Sequence, residues 1–150
     1  MAGAQTGFAN FETPPVSPIA LTPSGTRLLV TNTADNRLEV FDLTSGNPVW
    51  IRSIAVGLDP VSVRCRSENE AWVVNHLSDS ISIVDLSPGI AGMRVVRTVP
   101  TGDEPADVVF AGAPLRAFVS VSQLNQVRVL DPANPLGPAT IINICLLYTS

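Results

Sequence analysis

Little in these 150 residues is suited to chemistry. There is one histidine, His76, and there are two cysteines. A multi-histidine copper site is therefore excluded within this chain, and neither a disulfide framework nor a zinc cluster is encoded. No C-x-x-C-H haem attachment, no G-x-S-x-G elbow and no glycine-rich phosphate cradle occurs. Charge is sparse: charged residues make up 15%, the net charge is −4, and the nine Lys and Arg are scattered singly. That leaves no basic stripe for a phosphate backbone and argues against nucleic acid as a partner. No apolar run reaches the roughly 18 residues of a membrane-spanning helix. Residues 1–14 have neither the positive nor the apolar region of a signal peptide. Helical periodicity is missing as well, since no long window places apolar residues at three-and-four spacing. With 45% hydrophobic residues the chain is nevertheless rich enough to fold.

What is present is repetition. Pro15, Pro60 and Pro105 open the same script at a constant spacing of 45 residues. From Val30 the first copy reads VTNTADNRLEVFDL, from Val73 the second reads VVNHLSDSISIVDL, and from Val119 the third reads VSVSQLNQVRVLDP. Asn32 matches Asn75, Leu38 matches Ile81 and Val127, Val40 matches Ile83 and Val129, and Asp42 matches Asp85 and Asp131. A period near 45 residues carrying several short β-type runs is the signature of a β-propeller made of four-stranded blades. In Val40-Phe41, Ile83-Val84 and Val129-Leu130 apolar residues fall on both faces of one strand, as a blade covered on both sides requires. Val40, Ile83 and Val129 are accordingly expected to be buried.

These repeats resemble the YVTN family of β-propeller repeats, whose script runs from a Pro-led strand through a "YVTN" strand to a "VSVID" strand and a closing "IPVG" strand. The resemblance spans about 15–138. No copy has the tyrosine, the third has Val121 in place of the asparagine, and the linker around 87–93 is longer than usual. The resemblance implies an all-β propeller of antiparallel blades and a periplasmic or extracellular location in bacteria. Three blades are expected, at 15–59, 60–104 and 105–140, after a lead-in at 1–14. Their strands are expected at 17–21, 27–31, 37–42 and 49–56, at 61–64, 70–75, 80–85 and 94–99, and at 107–111, 116–121, 126–131 and 139–144.

Three periods fall short of the roughly four to eight blades of a closed ring, so the chain reads as an N-terminal or internal fragment whose first partner is its own missing blades. The tail 141–150 leaves the script, and NICLLYTS resembles translated adapter read-through; the plainer alternative is that 144–148 extends the last strand. No function is read from Cys145 or Tyr148.

Candidate site residues are few. Asp59, Asp103, Glu104 and Asp107 place carboxylates around the start of successive inner strands, where an acidic collar would attract a cation or a basic partner; solvated loop charges are the plainer reading. Asn75 and His76 form a second candidate loop, with His76 read chiefly as solvated surface. Asp42, Asp85 and Asp131 recur at strand ends and read as turn formers. Trp50 and Trp72 read as blade packing, and Cys65 as a small buried hydrophobe. No catalytic residue, cofactor or metal ligand is assigned. The sequence reads as a non-catalytic scaffold binding a protein or small ligand. The alternative is part of a propeller enzyme, lactonase-like or redox, whose catalytic residues lie in other blades or a fused domain.

Overall fold

The computed structural model describes residues 13–87 and 89–144; residues 1–12, Cys145, Tyr148 and the rest of the tail from 145 lie outside the described residues. Each 45-residue copy folds into one four-stranded antiparallel meander. The first contains β1 (Ile19–Leu21), β2 (Arg27–Asn32), β3 (Arg37–Asp42) and β4 (Val49–Ala55). The second contains β5 (Pro60–Ser67), β6 (Glu70–Asn75), β7 (Ser80–Asp85) and β8 (Arg94–Pro100). The third contains β9 (Pro105–Ala111), β10 (Arg116–Val121), β11 (Gln126–Leu130) and β12 (Thr140–Asn143). The only helical element among the described residues is a 3-10 turn at Ile90–Gly92, in the long linker before β8.

The sheets stack face to face with the second in the middle, as neighbouring blades of a propeller do. Two cores result. Leu29, Leu38 and Val40 of the first sheet meet Ala71, Val73 and Val84 of the second, and Val108, Ala117, Val119 and Leu130 of the third meet Trp72, Val74, Ile81 and Ile83 on its other side. Alternation along β6 sends successive residues to opposite cores, which is why Ala71-Trp72-Val73-Val74 is apolar without a break. Trp72 anchors the second core, edge-on to Phe110 with ring centroids 5.2 Å apart.

Repetition extends to the irregularities. A bulge interrupts the outer pairing after Val40 in β3 and after Ile83 in β7, the same repeat position. Another follows the opening proline in β5 and β9. An extra residue there shifts the alternation, so that Val61 joins one core and Val63 the other. The aspartates that end the third strands form the expected turns: Asp42, Asp85 and Asp131 accept the N–H of Thr44, Ser87 and Ala133 at 2.7, 2.9 and 2.9 Å.

Two packing expectations are corrected. Val129 is only half-buried, unlike Val40 and Ile83, because its face of the third sheet has no fourth sheet against it among the described residues. Trp50 does not pack between blades: it is 58% exposed on β4 and donates its indole N–H to Glu39 across the pair of strands at 2.8 Å.

Candidate binding site between the inner strands

The first strand of each sheet lies at its inner edge, and three of these edges converge. Ser17, Ser62 and Asp107 each stand two residues after the opening proline, 45 residues apart. Ser17 and Ser62 form an isolated parallel bridge, held by N–H donation from Val16 and Ser17 to the Val61 carbonyl and from Val63 to the Ser17 carbonyl. Asp107 accepts hydrogen bonds from the Ser62 hydroxyl, from Arg64 Nε at 3.2 Å and from Arg64 Nη2 at 2.8 Å. Arg64 Nη2 also donates to the Ser17 hydroxyl at 2.7 Å. One charged pair thus links all three inner strands.

Burial alone would push the Asp107 carboxyl up. Hydrogen bonds from Arg64, then from Ser62 and the Val108 amide, outweigh that and hold it below the usual carboxylate range. Burial pushes the neighbouring Cys65 thiol up to about 11, so this half-buried cysteine stays a neutral thiol.

Beyond the bridge the strands part. The space between them is a cavity of about 500 Å3, walled by β1 with Pro23, by Arg64 and Cys65 of β5 and by Val109 and Phe110 of β9. Its walls are apolar side chains and strand edges, and Arg64 is its one charged residue among the described residues.

The four carboxylates of the sequence-predicted collar are placed differently from one another. Asp59 and Glu104 occupy the left-handed region at φ 57° and 55°, each just before its proline. The amide of Asp59 donates to Asn36 Oδ1 at 2.7 Å and that of Glu104 to Asp79 Oδ1 at 3.0 Å. Their carbonyls accept from the amides of His76 and Ser122, each at 2.9 Å. Asp59 is buried, Asp103 is exposed, and Asp107 lies two residues into β9 on Arg64. No hydrogen bond joins any two of the four among the described residues.

His76 is half-buried between sheets, where its Nδ1 lies 3.0 Å from the Pro105 carbonyl and must carry the proton. Thr33, one blade earlier, donates to the Pro60 carbonyl at 2.9 Å from the same repeat position. The pair is an interblade latch. Asn75 is fully buried and donates to the hydroxyls of Ser80 and Ser82, while Asn32 pairs with Asp35 in its own turn. Sequence reasoning missed Arg64, Ser17 and Ser62. The serines carried a signal, since they align with Asp107 in the repeat, whereas Arg64 has no charged counterpart in the other copies.

No protein-family model matches the chain, nor does any curated protein sequence. Solved structures do match. The periplasmic gluconolactonase of Pseudomonas aeruginosa superposes with a TM-score of 0.69 at 16% identity, over 84% of this chain and 39% of that one. Hydrazine synthase of Kuenenia stuttgartiensis gives 0.68 at 20% identity, over 86% and 37%. The β-propeller domain of Swd1 from Myceliophteria thermophila gives 0.64 at 15%, over 85% and 42%. This chain spans about two fifths of the length of these structures. At such identities the likeness is one of architecture, and the three sheets are blades of a β-propeller.

Proposed function

We propose that this chain belongs to a YVTN-type propeller that acts as a non-catalytic scaffold, binding a partner at the inner-strand cavity. The observation that carries the reading is the cavity itself: its size suits ligand sites, roughly 300–1,000 Å3, and its one charged residue is held by a partner of opposite sign. Asp59, Asp103 and Glu104 serve the blade-joining turns in this reading. Exported location, periplasmic or extracellular, is part of the proposal; the repeat resemblance and the periplasmic neighbour support it.

The rival reading, a lactonase-like enzyme, draws on the gluconolactonase neighbour and on the presence of Arg64 in the cavity. That reading places catalysis in other blades or a fused domain, so opening of glucono-δ-lactone by a longer chain that carries further blades separates the two. The scaffold reading expects the spontaneous rate, unchanged by Arg64→Ala. Any acceleration over the spontaneous rate would overturn it.

A further inference from the structure

The two joints between sheets are built alike, and the third sheet carries the same parts. At each joint a left-handed residue in the turn between the second and third strands, Asn36 at φ 56° or Asp79 at φ 51°, offers a side-chain oxygen to the next blade. That oxygen accepts the N–H of the residue before the blade's opening proline, Asp59 or Glu104. Three residues earlier in the turn, Thr33 or His76 donates to the carbonyl of the proline itself, Pro60 or Pro105. Beneath the turn, Leu29, Leu38 and Val40 close the first joint, and Trp72, Ile81 and Ile83 close the second from the same repeat positions. In the third sheet Asn125 holds the same conformation at φ 48°. Its carbonyl accepts the Ile144 amide, as those of Asn36 and Asp79 accept the amides of Val56 and Thr101. The joint is thus formed up to the point where a next blade enters. Asn125 and Ser122, at the Asn36 and Thr33 positions, are exposed, and their side chains bond no residue among those described. Phe118, Val127 and Val129, at the Leu29, Leu38 and Val40 positions, are only half-buried.

Two occupants have the shape to cover these positions: a further blade, or the first blade of a second copy of the chain. Backbone chemistry separates them. The bond to the turn oxygen needs an N–H on the residue before the proline. In the first blade that residue is Pro14, ahead of Pro15, and proline has no N–H. A second copy therefore brings a carbonyl for Ser122 but leaves the Asn125 oxygen unmet.

We propose that the Ser122–Asn125 turn, with Phe118, Val127 and Val129 beneath it, is the docking site of a further blade led by a non-proline residue and a proline, and that Pro14 keeps the first blade of another copy out of it. The N–H before the incoming proline donates to Asn125 Oδ1, Ser122 donates to the proline carbonyl, and the incoming sheet covers the three apolar side chains. Apolar burial supplies the affinity, and the two hydrogen bonds fix the register. The docking site is independent of what the inner-strand cavity binds.

The test lengthens the chain by joining a second copy of residues 102–144 after Ile144. One form keeps the Glu104-Pro105 lead in the appended copy, and a second form carries Glu104→Pro there, matching Pro14-Pro15. Scanning calorimetry of the Glu-Pro form should show one transition, above that of the unextended chain. Asn125→Ala should lower its midpoint by about 2–4 °C, the shift expected when one hydrogen bond is lost from a chain of this size. Asn125→Asp, which keeps the kind of oxygen that Asp79 supplies, should restore it. The Pro-Pro form and the unextended chain should not respond to Asn125→Ala. Light scattering of the unextended chain examines the second copy: self-association should be indifferent to Asn125→Ala, and Pro14→Asp, which supplies the missing N–H, should strengthen it at least twofold. A Glu-Pro form that is indifferent to Asn125→Ala, or that does not melt cooperatively, would overturn the docking site. Weaker self-association in Asn125→Ala, or none gained in Pro14→Asp, would overturn the exclusion by Pro14.

Discussion

Asp107 is the one member of the Ser17, Ser62, Asp107 series that carries a charge, and it makes the junction of the inner strands sensitive to acid. Its carboxyl ionises below the unfolded value of about 3.9. Its contribution to stability is therefore present above that pH and lost as pH falls through the lower folded value. Chemical denaturation at a series of pH values should show stability declining below about pH 4, with a shallower decline in Asp107→Asn. An equal slope in both proteins would mean that other carboxylates dominate. Apolar positions behave according to how completely they are covered. Ile83 is 5% exposed and sits in a packed core, so Ile83→Ala should cost about 2–5 kcal/mol. Val129→Ala and Asp85→Ala should each cost less, the first because its site is half open and the second because only a solvent-facing turn is lost. Urea unfolding of the three variants gives the ranking.

Strands and their turns were largely legible in the sequence, for reasons that differ from element to element. β3, β6, β7 and β10 fall at their expected bounds because short runs rich in β-branched and aromatic residues, closed off by turn residues at both ends, admit one placement. β1 is shorter than its pattern: Pro18 separates Ser17 from Ile19–Leu21, and Ser17 instead pairs in parallel with the next blade. Such a bridge between blades leaves no periodic trace in one copy. The role of Gly57 was equally hidden. A Cβ at this residue would lie 2.4 Å from Ser78 Oγ and 2.5 Å from the Asn75 amide nitrogen. Asn75 is fully buried and fixed by two serines, so it has no room to yield. Gly57→Ala should therefore destabilise the chain by roughly 1–3 kcal/mol, the range of core overpacking. Gly25→Ala adds a Cβ into open space and meets only the strain of its positive φ, so thermal melts of the two variants distinguish crowding from backbone conformation.

On the scale of the whole molecule, apolar surface lies uncovered on the outer faces of the first and third sheets. Val109 is exposed beside half-buried Phe118 and Val127, around a shallow hollow of about 250 Å3, and half-buried Val129 pairs with Phe118 on the same face. Faces of this kind favour association. Residues 1–150 should accordingly self-associate in light scattering after size-exclusion chromatography, and Val109→Arg should shift the population toward monomer; a clean monomer at high concentration would show that the open face is tolerated in water. The propeller architecture was readable from the 45-residue period because each blade repeats one script. The inner-strand cavity was not, because its walls come from three copies and its single charged residue from only one of them.

The middle sheet belongs to both cores, with Val73 serving one and its neighbour Val74 the other. Neither core can melt while leaving that shared wall properly packed, so damage to one is transmitted to the other within a single strand's thickness. Loss of the first sheet would strip Val73 of its partners and bare one side of the wall that the third sheet leans on. Ile83→Ala on one side and Val73→Ala on the other should each lower the same single unfolding transition, with no separate early step for the blade nearest the change.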